Sequence, residues 1–325
     1  MRKKFFFALL SVVCFSWRAS AQSSLLATLN HEGTISTYYG SSALQEAYNA
    51  ADHGDVITLS SGSFLGTDIK KAITLRGAGM TVDTVAHTEP TVISSNFNID
   101  VSDTLSHRLT MEGIYSNQTV TVSTLKNAMF LKCRFKDVNY NSNSSTMKDL
   151  NFIHCRIAEG FNLATNCSAS FLNCVVMNPY QGNSNNSVFS FTNCYVNNSE
   201  LQHSEYKNCI INNNTGFSTT TFYNNLWLTS NSNIACPNKT NVTISPDDER
   251  VSFLNVAYND DNDYQLTDAV RTLIKGTDGT EVGIHGGSLP YDPTPTNPQI
   301  TKFNVAAKST ADGKLSVDIE VNSAN

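Results

Sequence analysis

Two short stretches of this chain concentrate titratable side chains in one repeated order. Lys132, Arg134 and Asp137 recur as His154, Arg156 and Glu159, each 22 residues later. If the two stretches are stacked coils, equivalent positions lie one strand spacing apart, roughly 4.8 Å. Asp137 and Glu159 would then stand near the ~5–5.5 Å separation of a retaining glycosidase pair. Like charges so close raise one of the two pKa values. Lys132, Arg134 and Arg156 could instead neutralise a uronate carboxylate, with His154 as the base of an elimination. The catalytic candidates are therefore Asp137, His154 and Glu159, and the ligand-binding candidates Lys132, Arg134 and Arg156. The plainer reading is a solvated face on which Arg134, Lys136 and Arg156 screen the acids. No metal site is expected, because no C-x-x-C occurs and the cysteines follow a longer period. No cofactor is expected either, since nucleotide-binding and serine-nucleophile patterns are absent.

The elements that must position these residues are announced by a repeated phrase, an aromatic followed three places on by cysteine. It reads Phe130-Leu-Lys-Cys133, Phe152-Ile-His-Cys155, Phe171-Leu-Asn-Cys174, Phe191-Thr-Asn-Cys194 and Tyr206-Lys-Asn-Cys209, with Phe222-Tyr-Asn-Asn225 as a variant. An apolar residue follows two places later: Phe135, Ile157, Val176, Val196, Ile211, Trp227. A period of 15 to 22 residues means a solenoid. Aromatic and cysteine are three apart, whereas one strand face recurs every two, so a corner must lie between them. Asn173, Asn193, Asn208 and Asn224 sit at that corner, and Asn tolerates the left-handed conformation. Short strands joined by Asn corners are how a parallel β-helix turns. A degenerate copy at Leu109–Ile114, with segments near Val92, Val242, Phe253 and Tyr264, leads to an expectation of about nine or ten coils.

The chain before the repeats should close its end. Leu44, Ala47, Tyr48 and Ala51 share one helical face, with Ser41 or Ser42 as the cap. The strands Val56-Ile57-Thr58-Leu59 and Ile73-Thr74-Leu75 follow. A solenoid needs its terminal apolar face covered, and this helix is placed to cover it.

The first 21 residues read as a secretory signal peptide: Arg2, Lys3 and Lys4, an apolar run from Phe5 to Phe15, and Ala19-Ser20-Ala21 before Gln22. The apolar run is too short for a membrane span, and no later stretch approaches the ~20 apolar residues one needs. The expectation is a secreted protein, whether periplasmic, extracellular or at the cell surface. Removing the leader deletes Arg2, Lys3, Lys4 and Arg18 and no acid, which takes the net charge from −6 to −10. So acidic a chain is a poor partner for nucleic acid or anionic membranes. Seven cysteines remain, an odd number, and five lie on the repeat. They are expected as stacked, buried, reduced thiols.

The combination resembles the right-handed parallel β-helix of the pectin-lyase-like superfamily. The residues that carry the resemblance are ALQEAYNAADHGDVITLSSGSF, IKKAITLRGAGM, the aromatic-x-Asn-Cys ladder and the closing DYQLTDAVRTLIKGTDGTEVGIHGG. The closing phrase is similar to the ending of many secreted β-helix proteins of Bacteroidota. The resemblance implies an all-β, right-handed parallel β-helix over 26–289 with an N-terminal capping helix. It says little about activity, because this fold hosts lyases, hydrolases, adhesins and inert surface proteins. The calcium-binding acids and strand-end arginine of pectate lyases have no match. Of the polygalacturonase motifs only Asp260-Asp261 and Ile284-His285-Gly286-Gly287 remain, near the C-terminal end, and they read as a loop and a closing strand.

After Leu289, Pro290, Pro293, Pro295 and Pro298 mark a stiff linker over 290–299. Residues 300–325 alternate as one β-hairpin, too small for a core of its own. The expected function is a secreted or cell-surface, non-catalytic module binding a polysaccharide or another surface, as a monomer. The alternative is a polysaccharide lyase or glycoside hydrolase acting on an extracellular polysaccharide.

Overall fold

The computed structural model describes residues 25–83, 88–102, 106–141, 146–163, 166–181, 187–214, 219–228, 242–243, 262–294, 299–306, 308–310 and 312–322. The signal-peptide segment, Cys236, Phe253 and Asp260-Asp261 lie outside the described residues. The chain winds as a parallel β-solenoid of about 7 turns. One sheet carries Ile57, Leu75, Met111, Phe130, Phe152, Phe171, Phe191, Tyr206 and Phe222 in successive parallel rungs. A second sheet carries Val92, Tyr115, Arg134, Arg156, Val175, Tyr195, Ile210, Leu226 and Val242. A third pairs Phe97, Val120, Val138, Phe161 and Pro179.

The core follows from the phrase. The six aromatic rings stack with centroids 4.6 to 5.3 Å apart. None is more than 4% exposed. The residues between ring and cysteine, Lys132, His154, Asn173, Asn193, Asn208 and Asn224, all have φ between 49° and 56°. The corner is therefore one left-handed residue. A second corner follows at Asn178, Asn198 and Asn213, with φ of 47°, 51° and 61°.

The cysteines do more than fill space. Cys155, Cys174, Cys194 and Cys209 donate Sγ–H to the carbonyls of Phe130, Phe152, Phe171 and Phe191 on the preceding coil, at 3.3 to 3.4 Å. The backbone N–H groups of Cys155, Cys174 and Cys194 donate in turn to the Sγ of the next coil, at 3.3 to 3.5 Å. Asn225 takes over both roles where the cysteines end. Its Oδ1 accepts the Cys209 N–H at 2.8 Å, and its Nδ2 donates to the Tyr206 carbonyl at 2.9 Å. The thiols thus accept the N–H that the corner turns away from the sheets and add a donor to a strand carbonyl of the preceding coil. All five ladder cysteines and Cys167 are free and buried. Burial pushes the thiols of Cys133, Cys155 and Cys194 well up, and that of Cys167 to about 12.

The capping helix is Ala43–Ala50. Leu44, Ala47, Tyr48 and Ala51 face the core, at most 6% exposed. Ser42 occupies the N-cap but makes no side-chain capping bond. The helix end is held instead by Lys71, whose Nζ donates to the Tyr48 and Ala51 carbonyls at 3.0 and 2.6 Å.

Two expectations change. Tyr264 belongs to no coil. Residues 262–294 leave the repeat and run back along the outside of the second sheet as a strap. Their apolar residues cover Val175, Tyr195, Ile210 and Leu226. Ile284-His285-Gly286-Gly287 is a turn within this strap, not a closing strand. Beyond it, Gln299–Val305 and Val317–Asn322 form a separate two-stranded antiparallel sheet.

Replacing Phe171 by Ala removes the middle of the stack and is expected to cost about 3–5 kcal/mol of stability in chemical denaturation. Cys174→Ala leaves the Cys155 N–H without a partner and removes one of the donors to the Phe152 carbonyl. It should lose about 1–3 kcal/mol, whereas Cys174→Ser, which keeps a donor and an acceptor, should recover part of that loss in the same measurement.

Candidate functional site

The six charged candidates do not form one cluster. Lys132, His154 and Arg156 point at the strap. The Lys132 ammonium donates to Asp292 Oδ2 at 2.9 Å and to the Thr294 carbonyl at 2.6 Å. His154 Nε2 donates to the Leu289 carbonyl at 3.1 Å. Arg156 Nε donates to the Tyr291 hydroxyl at 2.8 Å, with the guanidinium 5.1 Å from the Tyr291 ring centre. All three side chains are under 9% exposed. Arg134 lies 4.1 Å over the Tyr115 ring on the neighbouring coil. These basic groups hold the protein's own chain where a uronate was expected.

The asparagines of the same corner column continue this arrangement. Asn173 Nδ2 donates to the carbonyls of Ile284 and Gly286 at 2.7 and 2.8 Å. Asn208 Oδ1 accepts the Thr277 N–H at 2.8 Å, and Asn224 Nδ2 donates to the Lys275 carbonyl at 3.0 Å. Gly286 lies against Asn193, where a Cβ would collide with the amide. The corner column is one rail, and the strap runs along it from Lys275 near coil 224 to Thr294 near coil 132. Apolar contacts beside the rail complete the seat, with the Tyr195 and Tyr264 rings 4.5 Å apart.

Asp137 and Glu159 lie around the next corner, on a side the strap leaves open. The expected pairing in one column is not seen. The strands shift register after Phe135, so Asp137 pairs with Gly160. A Cβ there would stand 2.7 Å from Asp137 Oδ1 and force the carboxylate to shift. Asp137 Oδ2 accepts from Asn139 Nδ2 at 2.6 Å and from the Thr119 hydroxyl at 3.4 Å. Asn139 accepts in turn from Asn162. Burial raises the Asp137 pKa above the ordinary carboxylate value, and these hydrogen bonds oppose the rise. Glu159 is 63% exposed, with Lys136 Nζ 3.9 Å from its carboxylate.

These two acids border a groove of about 500 Å³, lined also by Asn162, Asn178, Tyr180, Asn198, Glu200 and Asn213. Its floor is the second asparagine ladder. Asn213 donates to Asn198 at 3.2 Å, Asn198 to Asn178 at 3.1 Å, and Asn178 to the Glu159 carbonyl at 2.6 Å. Tyr180 is 44% exposed at its side. The sequence reading singled out Asp137 and Glu159 but not Tyr180 or Glu200. Both stand two residues after a second-corner asparagine, a spacing that would have marked them.

No family model, curated protein or solved structure matches this chain. Among the described residues, no helix is long and apolar enough to cross a membrane, and no three His, Cys, Asp or Glu side chains group to hold a metal.

The strap contact carries a pH prediction. Burial lowers the His154 pKa below its ordinary value of 6.5, and neighbouring Lys132 adds to the effect. A depressed value in the docked state means that docking is fully supported above pH 6.5 and weakens as pH falls below it. Asp292 is held ionised by Lys132, so it loses its contribution only at lower pH. Hydrogen exchange of residues 284–294, corrected for intrinsic pH dependence, should speed up between about pH 7.5 and 5. His154→Gln should flatten that dependence.

Proposed function

We propose that this chain is an exported β-helix that binds a neutral or amino-bearing glycan in the groove between Asp137 and Asn213. The observation that carries the reading is the open groove itself, floored by a ladder of amides and flanked by the exposed Tyr180 ring. Sugar hydroxyls both donate and accept, and amides and carboxylates offer them both kinds of partner. An aromatic face beside convergent polar groups is a common binding arrangement. A polymer laid along the axis meets the same group once per coil, roughly every 4.8 Å. Asp137, Glu159 and Glu200 make the groove acidic, which disfavours uronate polymers. The leader-like first 21 residues support export. The sequence resemblance supports a more specific kinship, with pectin-lyase-like β-helices, which is part of the proposal.

A second reading has one observation in its favour. The raised pKa of Asp137 suits a proton donor, and Glu159 borders the same groove as a second carboxylate. This would be a glycoside hydrolase. A lyase is less well supported, because Lys132, His154 and Arg156 are engaged by the strap.

The test is calorimetric titration with neutral, amino-bearing and uronate oligosaccharides, run beside a turnover assay. Binding of a neutral or amino glycan, weakened about tenfold by Tyr180→Ala, is the expected result. Turnover lost in Asp137→Asn and in Glu159→Gln would select the hydrolase. Affinity for uronates alone, or binding that Tyr180→Ala leaves unchanged, would remove the groove from consideration.

A further inference from the structure

Among the described residues, the N-terminal end of the first sheet is left open in a way that suits one partner. Leu26–His31 and Thr34–Tyr39 form a hairpin across Glu32-Gly33, with φ of 49° and 88°. Leu26–His31 then pairs antiparallel with Val56–Leu59, which joins the hairpin to the solenoid. Thr34–Tyr39 is therefore the outermost strand. Among the described residues it has no pairing except with Leu26–His31.

The hydrogen-bonding parity of this strand is set. In a two-residue hairpin, His31 and Thr34 form the hydrogen-bonded pair, and alternation makes Leu29–Ser36 and Ala27–Tyr38 the next. The Gly40 N–H donating to the Leu25 carbonyl at 3.0 Å fits that parity. The backbone groups of Ile35, Thr37 and Tyr39 consequently point away from the protein. The side chains of the same residues share one face, where Ile35 is 67% and Tyr39 49% exposed. From Gly33 to Ser42 there is no charged residue and no proline, so the usual protection of an edge is missing.

We infer that Thr34–Tyr39 is a homodimerisation edge, on which a second copy of this chain pairs antiparallel about a two-fold axis at Thr37. Two conditions select this register. The outward hydrogen bonds must meet outward hydrogen bonds, and a perpendicular two-fold must keep each side chain on its own face. Centring on Thr37 meets both, and it places Ile35 opposite Tyr39 of the second copy, twice. Such aromatic–β-branched pairs are among the favourable cross-strand contacts. The two-fold makes the contact isologous and closed, so it ends at a dimer. No carboxylate opposes another along the paired strands, despite a net charge of −6 for the chain. Six residues a side is a small contact, so the dimer forms at high concentration. This replaces the monomer expected from sequence.

Sedimentation of the purified protein from about 1 to 300 μM tests the inference. The expected result is a concentration-dependent dimer that Ile35→Lys abolishes. Thr37→Pro should abolish it too, because it removes an N–H that faces outward and leaves the hairpin's own bonds intact. Hydrogen-bonded antiparallel partners have Cα atoms about 5.5 Å apart, inside the range a disulfide spans. Thr37→Cys should therefore oxidise to a linked dimer, while Ser36→Cys, opposite Tyr38, should not. A monomer throughout the range with no Thr37→Cys linkage would overturn the inference. So would a dimer that survives both Ile35→Lys and Thr37→Pro, or linkage through Ser36→Cys in preference. Circular dichroism of each variant confirms that loss of the dimer is not loss of the fold.

Discussion

The structure depends on how backbone is satisfied at a one-residue corner. A left-handed residue bends the chain between the first and second sheets, and it turns the N–H after it out of the strand ladders. Buried groups of this kind need partners. A thiol supplies both a donor and an acceptor in a space that would not take a larger polar group. The cysteine ladder is therefore a backbone device, and Asn225 shows what it replaces. An amide in the next rung makes the same two bonds with better donors and acceptors. The aromatic stack is spaced by the same rungs, so the stack and the thiol ladder are two consequences of one constraint.

The outer side of that corner explains the distribution of charge. The strap places carbonyl after carbonyl against the corner column. Under its apolar middle the column offers neutral amides, since burying a charge there would cost several kcal/mol. At its far end the column changes to Lys132 and His154, both still buried, and the strap answers with Asp292 and a carbonyl.

The second corner is built from asparagines too, but among the described residues it carries no strap. Its amides hold each other and leave their edges to the groove. Gly160 lets the Asp137 carboxylate lie across the neighbouring coil, and the partial burial that results raises its pKa. The same local element thus serves as packing on one corner and as an open polar surface on the next.

Sequence by itself determined the repeat. The aromatic and cysteine period, the odd spacing between them and the asparagines at the turn specify stacked coils, buried rings and left-handed corners, because each is a local demand of the backbone. The capping face of Ala43–Ala50 was legible for the same reason, through its helical periodicity. The strap was not. Its residues resemble another coil in composition, and its place over the second sheet rests on contacts with coils distant in sequence. The pairing of Asp137 with Glu159 also failed to follow from spacing, because one register shift at Phe135 breaks the column. Lys132, His154 and Arg156 contact residues more than a hundred positions away, and the register of local repeats carries no information at that range.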